Sequence, residues 1–570
     1  EVVMAGSNRP VPYRVREQKI LWADASTGYG VTWEGRAVVP VIRGRRKNPS
    51  LADLLDTAFA AGAERIMLTG KLPVAEPGAA HWLMAETPGW RHGAHWLEAP
   101  PTGRYYHQAT QPVGDRRARP LEVATAAAWF GSRRLGFHQA RAAWELVAAA
   151  LGRAEPKLSA LMKSPAATGQ NLWALSMPAN LDPVPVEAEI AEEIHRTSGQ
   201  HHIEHLVAGP SFSEHPDCLP LIDPASGQDS MEQFAYIDGR FMYAGLCNEL
   251  AVGPGRRLRG IEAHYLFEES PYAPARYHIR FTVPAGWNHL GIWGVQVPGS
   301  TSGWYWPNRP GATAQTWVDA AELRVGVAHG WVPDRFVEAV QFTAQKPAIR
   351  GQARAVAARP LDTFAERLAS ARAAVEIAEV DEAVKEAART ALRAILLETI
   401  GAFASRGRRS TVSVSSALEV PEAYQHSIRV WGSRITYQAP SPVTDRQRQF
   451  YHPELPAQVW GRARARVLDG TKAAPAGALH VDPHQLIGIN GDALYTTTVP
   501  TWALPTACGG ADDGRVGKLR LKGVLPGPLP VPVTRAAREA LMHRAEAAGP
   551  GPAWQAGEET GEETGEGVSR

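Results

Sequence analysis

Residues 19–70 open with three short apolar runs, KILWAD, YGVTWEG and AVVPVIRG. They continue into SLADLLDTAFAAGA, whose apolar positions step by three and four, and return to the extended ERIMLTG. Strands, a helix and a returning strand in that order predict an α/β unit. Residues 120–162 carry LEVATAAAWFG, GFHQARAAWELVAAALG and PKLSALMK, read as helices, and SPAATGQNLW (Ser164 to Trp173) is read as a loop. From 230 to 350 the chain turns to strands (FAYID, RYHIRFTV, HLGIWGVQV, RFVEAVQFT), with TWVDAAELRVGVAHGW expected as a helix. The strongest helical signal spans 361–405, where Val384, Ala388, Ala391, Leu392, Ile395 and Thr399 fall on one buried face. A basic polar insert, RGRRSTVSVSS, is followed by strands, the arginine-rich helix PAQVWGRARARVL and the hairpin pattern LIGINGDALYTT. The closing GEETGEETGEGVSR is acidic, of low complexity, and expected to be disordered.

Composition narrows the class. A chain of 570 residues with 44% hydrophobic and 21% charged residues is expected to fold into two to four domains. Its 53 glycines and 45 prolines have no period, which excludes a collagen-like repeat. The formal charge of +2 leaves any anion contact to local patches, and those are built almost entirely from arginine, a residue suited to bidentate phosphate binding. Three cysteines (Cys218, Cys247, Cys508) lie far apart with no C-x-x-C spacing, so neither a disulfide framework nor a cysteine zinc site is expected and a reducing cytoplasm is the expected compartment. The first 20 residues hold no apolar signal core and no run approaches the length of a membrane helix, so no membrane partner is expected. Because the chain opens on Glu1, translation is expected to start upstream or at Met4.

Two aspartates stand where strands end. Asp238 closes FAYID and leads into GRFMYAG, and Asp492 follows Asn490-Gly491, a dipeptide that favours a type I′ hairpin turn because both central residues need positive φ. Either carboxylate alone also fits an ordinary surface turn. Between them, Lys385, Arg389 and Arg393 step by four along one helix and make a basic stripe, which suits a nucleotide triphosphate bridged to divalent metals or a solvated face paired with Glu382 and Glu386. HHIEH (His201, His202, Glu204, His205) has spacings open to zinc but lacks H-E-x-x-H and a partner carboxylate at a known spacing. RGRRK (Arg43 to Lys47) and RGRR (Arg406 to Arg409, with Arg408) are basic loops that fit phosphate clamps or plain solubility. The 18 tryptophans suit base stacking or core anchoring, and the lack of G-x-x-x-x-G-K-[ST] argues against a P-loop helicase.

The order of these elements resembles the palm and fingers of family B DNA polymerases of the protein-primed type. The family's D-x-x-S-L-Y-P is similar to Asp238-Gly-Arg-Phe-Met-Tyr243-Ala, keeping the aspartate and tyrosine. Its K-x-x-x-N-S-x-Y-G followed by F-A-S is similar to Arg393-AILLETI-Gly401-Ala-Phe403-Ala-Ser405, with arginine for lysine and Leu397, Glu398 and Ile400 for the asparagine, serine and tyrosine. Its D-T-D-S corresponds to Asn490-Gly491-Asp492-Ala493, which keeps the second aspartate. The start of the chain resembles the family's proofreading exonuclease, whose D-x-E becomes Asp24-Ala25-Ser26 and whose N-x-x-x-F-D has no counterpart in ERIMLTGKLP.

The resemblance covers roughly residues 20–525 and implies an α/β (α+β) multi-domain fold. Its parts are an RNase H-like, degenerate exonuclease domain over 1–130, a helical connector over 131–229, and an antiparallel palm with inserts over 230–525. The fingers helices lie at about 361–405, and a reduced thumb gives way to a short helix and acidic tail over 526–570. It implies DNA-directed nucleotidyl transfer in replication of a mobile element, phage or linear plasmid. Asp238 and Asp492 would hold two Mg²⁺ ions, Arg393, Lys385 and Arg389 the triphosphate of a dNTP, and Tyr243 the incoming sugar. Arg515, Lys518, Arg520, Lys522, Arg406, Arg408 and Arg409 would contact DNA, and a terminal or priming protein is a further expected partner. A non-catalytic DNA-binding or replication-assembly protein on the same scaffold is the alternative, and an RNase H-like nuclease or transposase is disfavoured because Asp24 stands alone.

Overall fold

The computed structural model describes residues 8–73, 82–92, 95–97, 102–111, 117–131, 134–179, 181–209, 215–300, 303–342, 359–407, 409–431, 434–440, 444–471 and 474–551. The acidic tail and Arg408 lie outside the described residues. The chain forms two compact units, one from Glu1–Arg9, Met177–Ala365 and His452–Arg570, the other from Pro10–Ser176 and Glu366–Tyr451. Each unit is assembled from separated stretches of chain.

The Pro10–Ser176 and Glu366–Tyr451 unit is built on a seven-stranded sheet. Its order is Ala37–Val38, Gly30–Val31, Ile20–Asp24, Arg65–Thr69, Leu121–Thr125, Gly103–His107, Trp90–His92. Ile20–Asp24, Arg65–Thr69 and Leu121–Thr125 run parallel, and the flanking pairs are antiparallel. The sheet therefore has antiparallel edges and a parallel centre, as expected of an α/β unit. Parallel strands are covered on both faces, which explains why ILWA and IML read as unbroken apolar runs, while the buried Arg65 and Glu122 lie opposite each other on neighbouring strands. LEVAT, expected as helix, is therefore a strand; a short continuous apolar run does not distinguish the two by periodicity. Helix Leu51–Ala60 starts at Ser50, whose hydroxyl accepts from Asp53 N while the Asp53 carboxylate accepts from Ser50 N.

In the same unit helix Glu382–Ala402 packs on Phe137–Ala154 and Pro165–Ser176. The last of these replaces the loop expected at 164–173, and its helicity comes from burial: Ala166, Leu172 and Trp173 are all inside. Gly169 lets the two helices touch, since a Cβ there would lie 1.7 Å from Thr399 Oγ1.

The other unit carries a five-stranded antiparallel sheet, ordered Leu519–Pro530, Ser230–Gly239, Ala493–Thr496, Leu486–Asn490, His205–Leu206. A four-stranded sheet of Arg256–Arg259, Pro333–Gln341, Ala275–Thr282 and Thr313–Asp319 follows Ser230–Gly239 in the chain. TWVDAAELRVGVAHGW divides into that last strand and helix Ala320–Ala328, with Asp319 capping Ala321 N and Glu322 closing the box. Among the described residues no helix is long and apolar enough to cross a membrane.

Gly169→Ala forces Thr399 and the two helices apart, because Thr399 is fully buried. Overpacking of this kind costs about 1–3 kcal/mol, so thermal unfolding of the variant should show a lower midpoint than the parent. An unchanged midpoint would mean that the helices do not pack at this contact.

Candidate functional site

Strand Ser230–Gly239, second in the five-stranded sheet, pairs on one side with Ala493–Thr496 and on the other with Leu519–Pro530. Its register sets Asp238 opposite Ala493 and opposite Arg520. Gly239 N donates to Asp492 O at 3.2 Å, so the two aspartates lie at neighbouring strand ends of one sheet. Both are buried, at 3% and 8% exposure. The hairpin differs in detail from the sequence expectation: Asn490 pairs with Ala493, so the turn's central residues are Gly491 and Asp492. Only Gly491 has positive φ (60°), the sign pattern of a type II′ turn. The shift seats Asp492 in the turn itself.

Two backbone features make room for this arrangement. A Cβ at Gly239 would meet Met242 Cβ at 2.6 Å and Asp492 Oδ2 at 3.1 Å, so glycine leaves the Asp492 carboxylate its place. Two residues on, Phe241 takes φ 45° and ψ 42°, a conformation disfavoured for a bulky side chain, to start helix Met242–Leu246. Tyr243 in that helix sits beneath the hairpin, its hydroxyl 3.9 Å from where a Cβ of Gly491 would be.

Lys522 joins the aspartates. The pairing passes from Tyr236↔Gly523 to Ile237↔Leu521, leaving Lys522 as the extra residue of a β-bulge, a device that re-aims a side chain. Its Nζ lies 3.3 Å from Asp238 Oδ2, 3.4 Å from the Tyr236 hydroxyl and 2.8 Å from Glu546 Oε1. Glu546 belongs to helix Arg535–Ala548, which approaches the strand at Gly523, where a Cβ would lie 2.0 Å from Ala545 O. In the sequence Lys522 is one of a group of expected DNA contacts and Glu546 carries no signal, because a bulge and a helix crossing leave no local spacing.

The other predicted residues scatter. Lys518 and Arg515 approach Asp513 at 3.6 and 4.0 Å, and Arg520 lies on the strand beside Asp238. Arg240 is bonded to the buried Asp512 at 2.9 Å. Arg406 is exposed, and Arg409 begins strand Arg409–Val414. In the other unit Arg389 binds Glu376, Glu382 and Glu386 at 2.6, 2.7 and 3.1 Å, and Lys385 Nζ donates to Glu376 O at 3.1 Å. Hydrogen bonds to Glu376 raise the Arg389 pKa above its ordinary value. Within HHIEH, His201 faces Glu322, Glu204 binds Arg538 and Arg535, and His205 meets Arg464. The RGRRK loop is tied back through Arg43–Asp56 and Arg46–Asp53.

At the parallel strand ends of the seven-stranded sheet, Asp24 lies opposite Thr69, and Thr125 ends the next strand. Its Oδ1 accepts from Ser26 N and Oγ (2.9 and 2.6 Å) and from Thr27 N and Oγ1 (2.9 and 3.2 Å). Burial works to raise the Asp24 pKa, but these bonds outweigh it and hold the carboxyl below its ordinary value.

No family model matches the chain and no curated protein does. Among solved structures it is similar to phi29 DNA polymerase in an orthorhombic crystal form, with a TM-score of 0.50 and 11% identity over 90% of this chain and 85% of that one. Phi29 DNA polymerase complexed with primer-template DNA, and complexed with primer-template DNA and incoming nucleotide substrates, match with the same figures. The chain thus has a mixed α/β multi-domain fold similar to that of phi29 DNA polymerase, the fold class that its sequence resemblance implies.

Asp24 acts in this structure as a turn clasp. Asp24→Ala should cost about 1–3 kcal/mol at pH 7 by leaving its donors unmet. Since the folded pKa is lowered from 3.8, the clasp is present above that pH and is lost as pH falls through the folded value. The gap in melting temperature between parent and variant should therefore narrow on moving from pH 7 to pH 3.

Proposed function

We propose that this protein is a template-directed nucleotidyltransferase, a DNA polymerase-like enzyme working at the Asp238 and Asp492 strand ends. The observation that supports the reading is the delivery of two buried carboxylates on hydrogen-bonded neighbouring strands within a polymerase-like fold. The donor set fits a divalent cation, since two buried carboxylates supply the oxygen ligands that a hard cation takes. Asp238 and Asp492 would hold two Mg²⁺ ions, which when bound supply an activated primer hydroxyl and charge neutralisation at the leaving pyrophosphate. Lys522 screens the Asp238 carboxylate and offers its ammonium to phosphate oxygens. Tyr243 would lie under the incoming sugar, and Arg393 and Lys385 would receive the triphosphate of a dNTP. Arg389, held by three glutamates, would stiffen that helix pair more than it binds nucleotide.

DNA is the proposed partner, as it is for the phi29 enzyme in its complexes. Arg515, Lys518, Arg520, Arg406, Arg408 and Arg409 would contribute backbone contacts, with a terminal or priming protein supplying the first hydroxyl in replication of a mobile element, phage or linear plasmid. The exonuclease-like unit would be inactive, because two-metal hydrolysis needs converging carboxylates and Asp24 is committed to its turn. A second reading, a non-catalytic DNA-binding or assembly protein, is favoured by one observation: ion pairs already occupy Asp238 and Arg389.

Primer extension with Mg²⁺ separates the two. Asp238→Asn and Asp492→Asn should each lower extension by about 1,000-fold or more while keeping DNA binding in gel shifts. DNA binding without extension by the parent would establish the non-catalytic reading. Arg393→Ala should weaken dNTP binding by roughly 10- to 100-fold and leave duplex affinity unchanged. A 3′-mismatched primer should release no nucleotide; Asp24-dependent release would refute the inactive exonuclease.

A further inference from the structure

We propose that His329, Asp469 and His480 bind a divalent transition-metal ion of the zinc class, at a site separate from the paired aspartates. His329 Nε2 lies 2.9 Å and His480 Nε2 2.7 Å from Asp469 Oδ1. One ligand atom from each residue falls within 4.8 Å of the other two, and this is the one such group of three among the described residues. Two imidazole nitrogens and one carboxylate oxygen form a donor set that zinc accepts, and three protein ligands with one open position is the composition of a zinc site that takes a further ligand.

The backbone builds the cluster from three separate segments. Asp469 is the last residue of helix Glu454–Asp469, His329 follows helix Ala320–Ala328, and His480 ends the short turn Ala478–His480. The chain doubles back between Asp469 and His480 through Gly470 (φ 64°) and Gly477 (φ 97°). At Gly477 a Cβ would lie 2.4 Å from Val467 O, so only glycine lets the turn close against the helix end. All three side chains are between one quarter and one third exposed, at 26%, 29% and 30%, which leaves an entry path for an ion.

The open side is defined as well. Asp469 and His480 line a cavity of about 850 Å³ whose wall also carries Arg324, Arg462 and Arg466. Those guanidiniums donate to the backbone carbonyls of Pro271, Glu249 and Gly517. Positive charge held by carbonyls suits water or an anion completing the metal's coordination from that side. Ligation through Nε2 needs each imidazole in the tautomer protonated on Nδ1, so the two hydrogen bonds to Oδ1 give way to bonds to the ion.

The test uses the untagged full chain, stripped with chelator and titrated with Zn²⁺ alone by calorimetry, then with Co²⁺ read by visible absorption. One equivalent of Zn²⁺ and a d–d spectrum of low coordination number are expected. His480→Gln and Asp469→Asn should each weaken binding by at least about 100-fold, while His264→Gln, at an exposed histidine paired with Glu268, should not change it. His329→Gln provides a second ligand variant should either of those fail to fold. No stoichiometric uptake by the parent, or equal uptake by all variants, would reduce the cluster to a hydrogen-bonded staple and overturn the assignment.

Discussion

The register of Ser230–Gly239 against both neighbouring strands is the constraint on which the candidate site depends. Side chains alternate along a strand, so a slip of one residue would turn Asp238 away from Asp492 and send Ile237 out of the core. Apolar packing prevents the slip: Phe234 and Ile237 are fully buried, and Tyr495 stacks with Phe234 and Tyr236 at ring separations of 5.9 and 5.7 Å. The same register brings a second consequence, the bulge that lifts Lys522 toward Asp238. Lys522, delivered by the neighbouring strand, thereby gives the buried Asp238 carboxylate a cationic partner.

Much of this was legible in the chain. An apolar run that ends in aspartate and an Asn-Gly between two β-rich runs are local signals, and both led to neighbouring strand ends. The hairpin's register was one residue off, because turn length and the φ of Gly491 are settled by pairing and not by the dipeptide alone. Pro165–Ser176 was missed because Gly169 and Asn171 are poor helix formers and its stability comes from burial. The division of TWVDAAELRVGVA was written in Asp319 and Glu322, a capping pair that the apolar periodicity masked. Arg389 shows a different limit: steps of four identify a stripe, but Glu376, on the preceding helix, is invisible to spacing within one helix.

The interleaving of the two units has a bearing on how the chain reaches its native state. The Pro10–Ser176 part leaves the ribosome with no partner for the helix face around Gly169, Leu172 and Trp173, since Glu382–Ala402 is made only after the intervening stretch of the other unit. A buried tryptophan and leucine remain wetted through that interval, and a chain held in this state is open to association with other copies. Neither unit is a continuous segment, so a single cut of the gene releases neither of them whole. The order of synthesis, more than the final packing, sets when this protein is most exposed to misassembly.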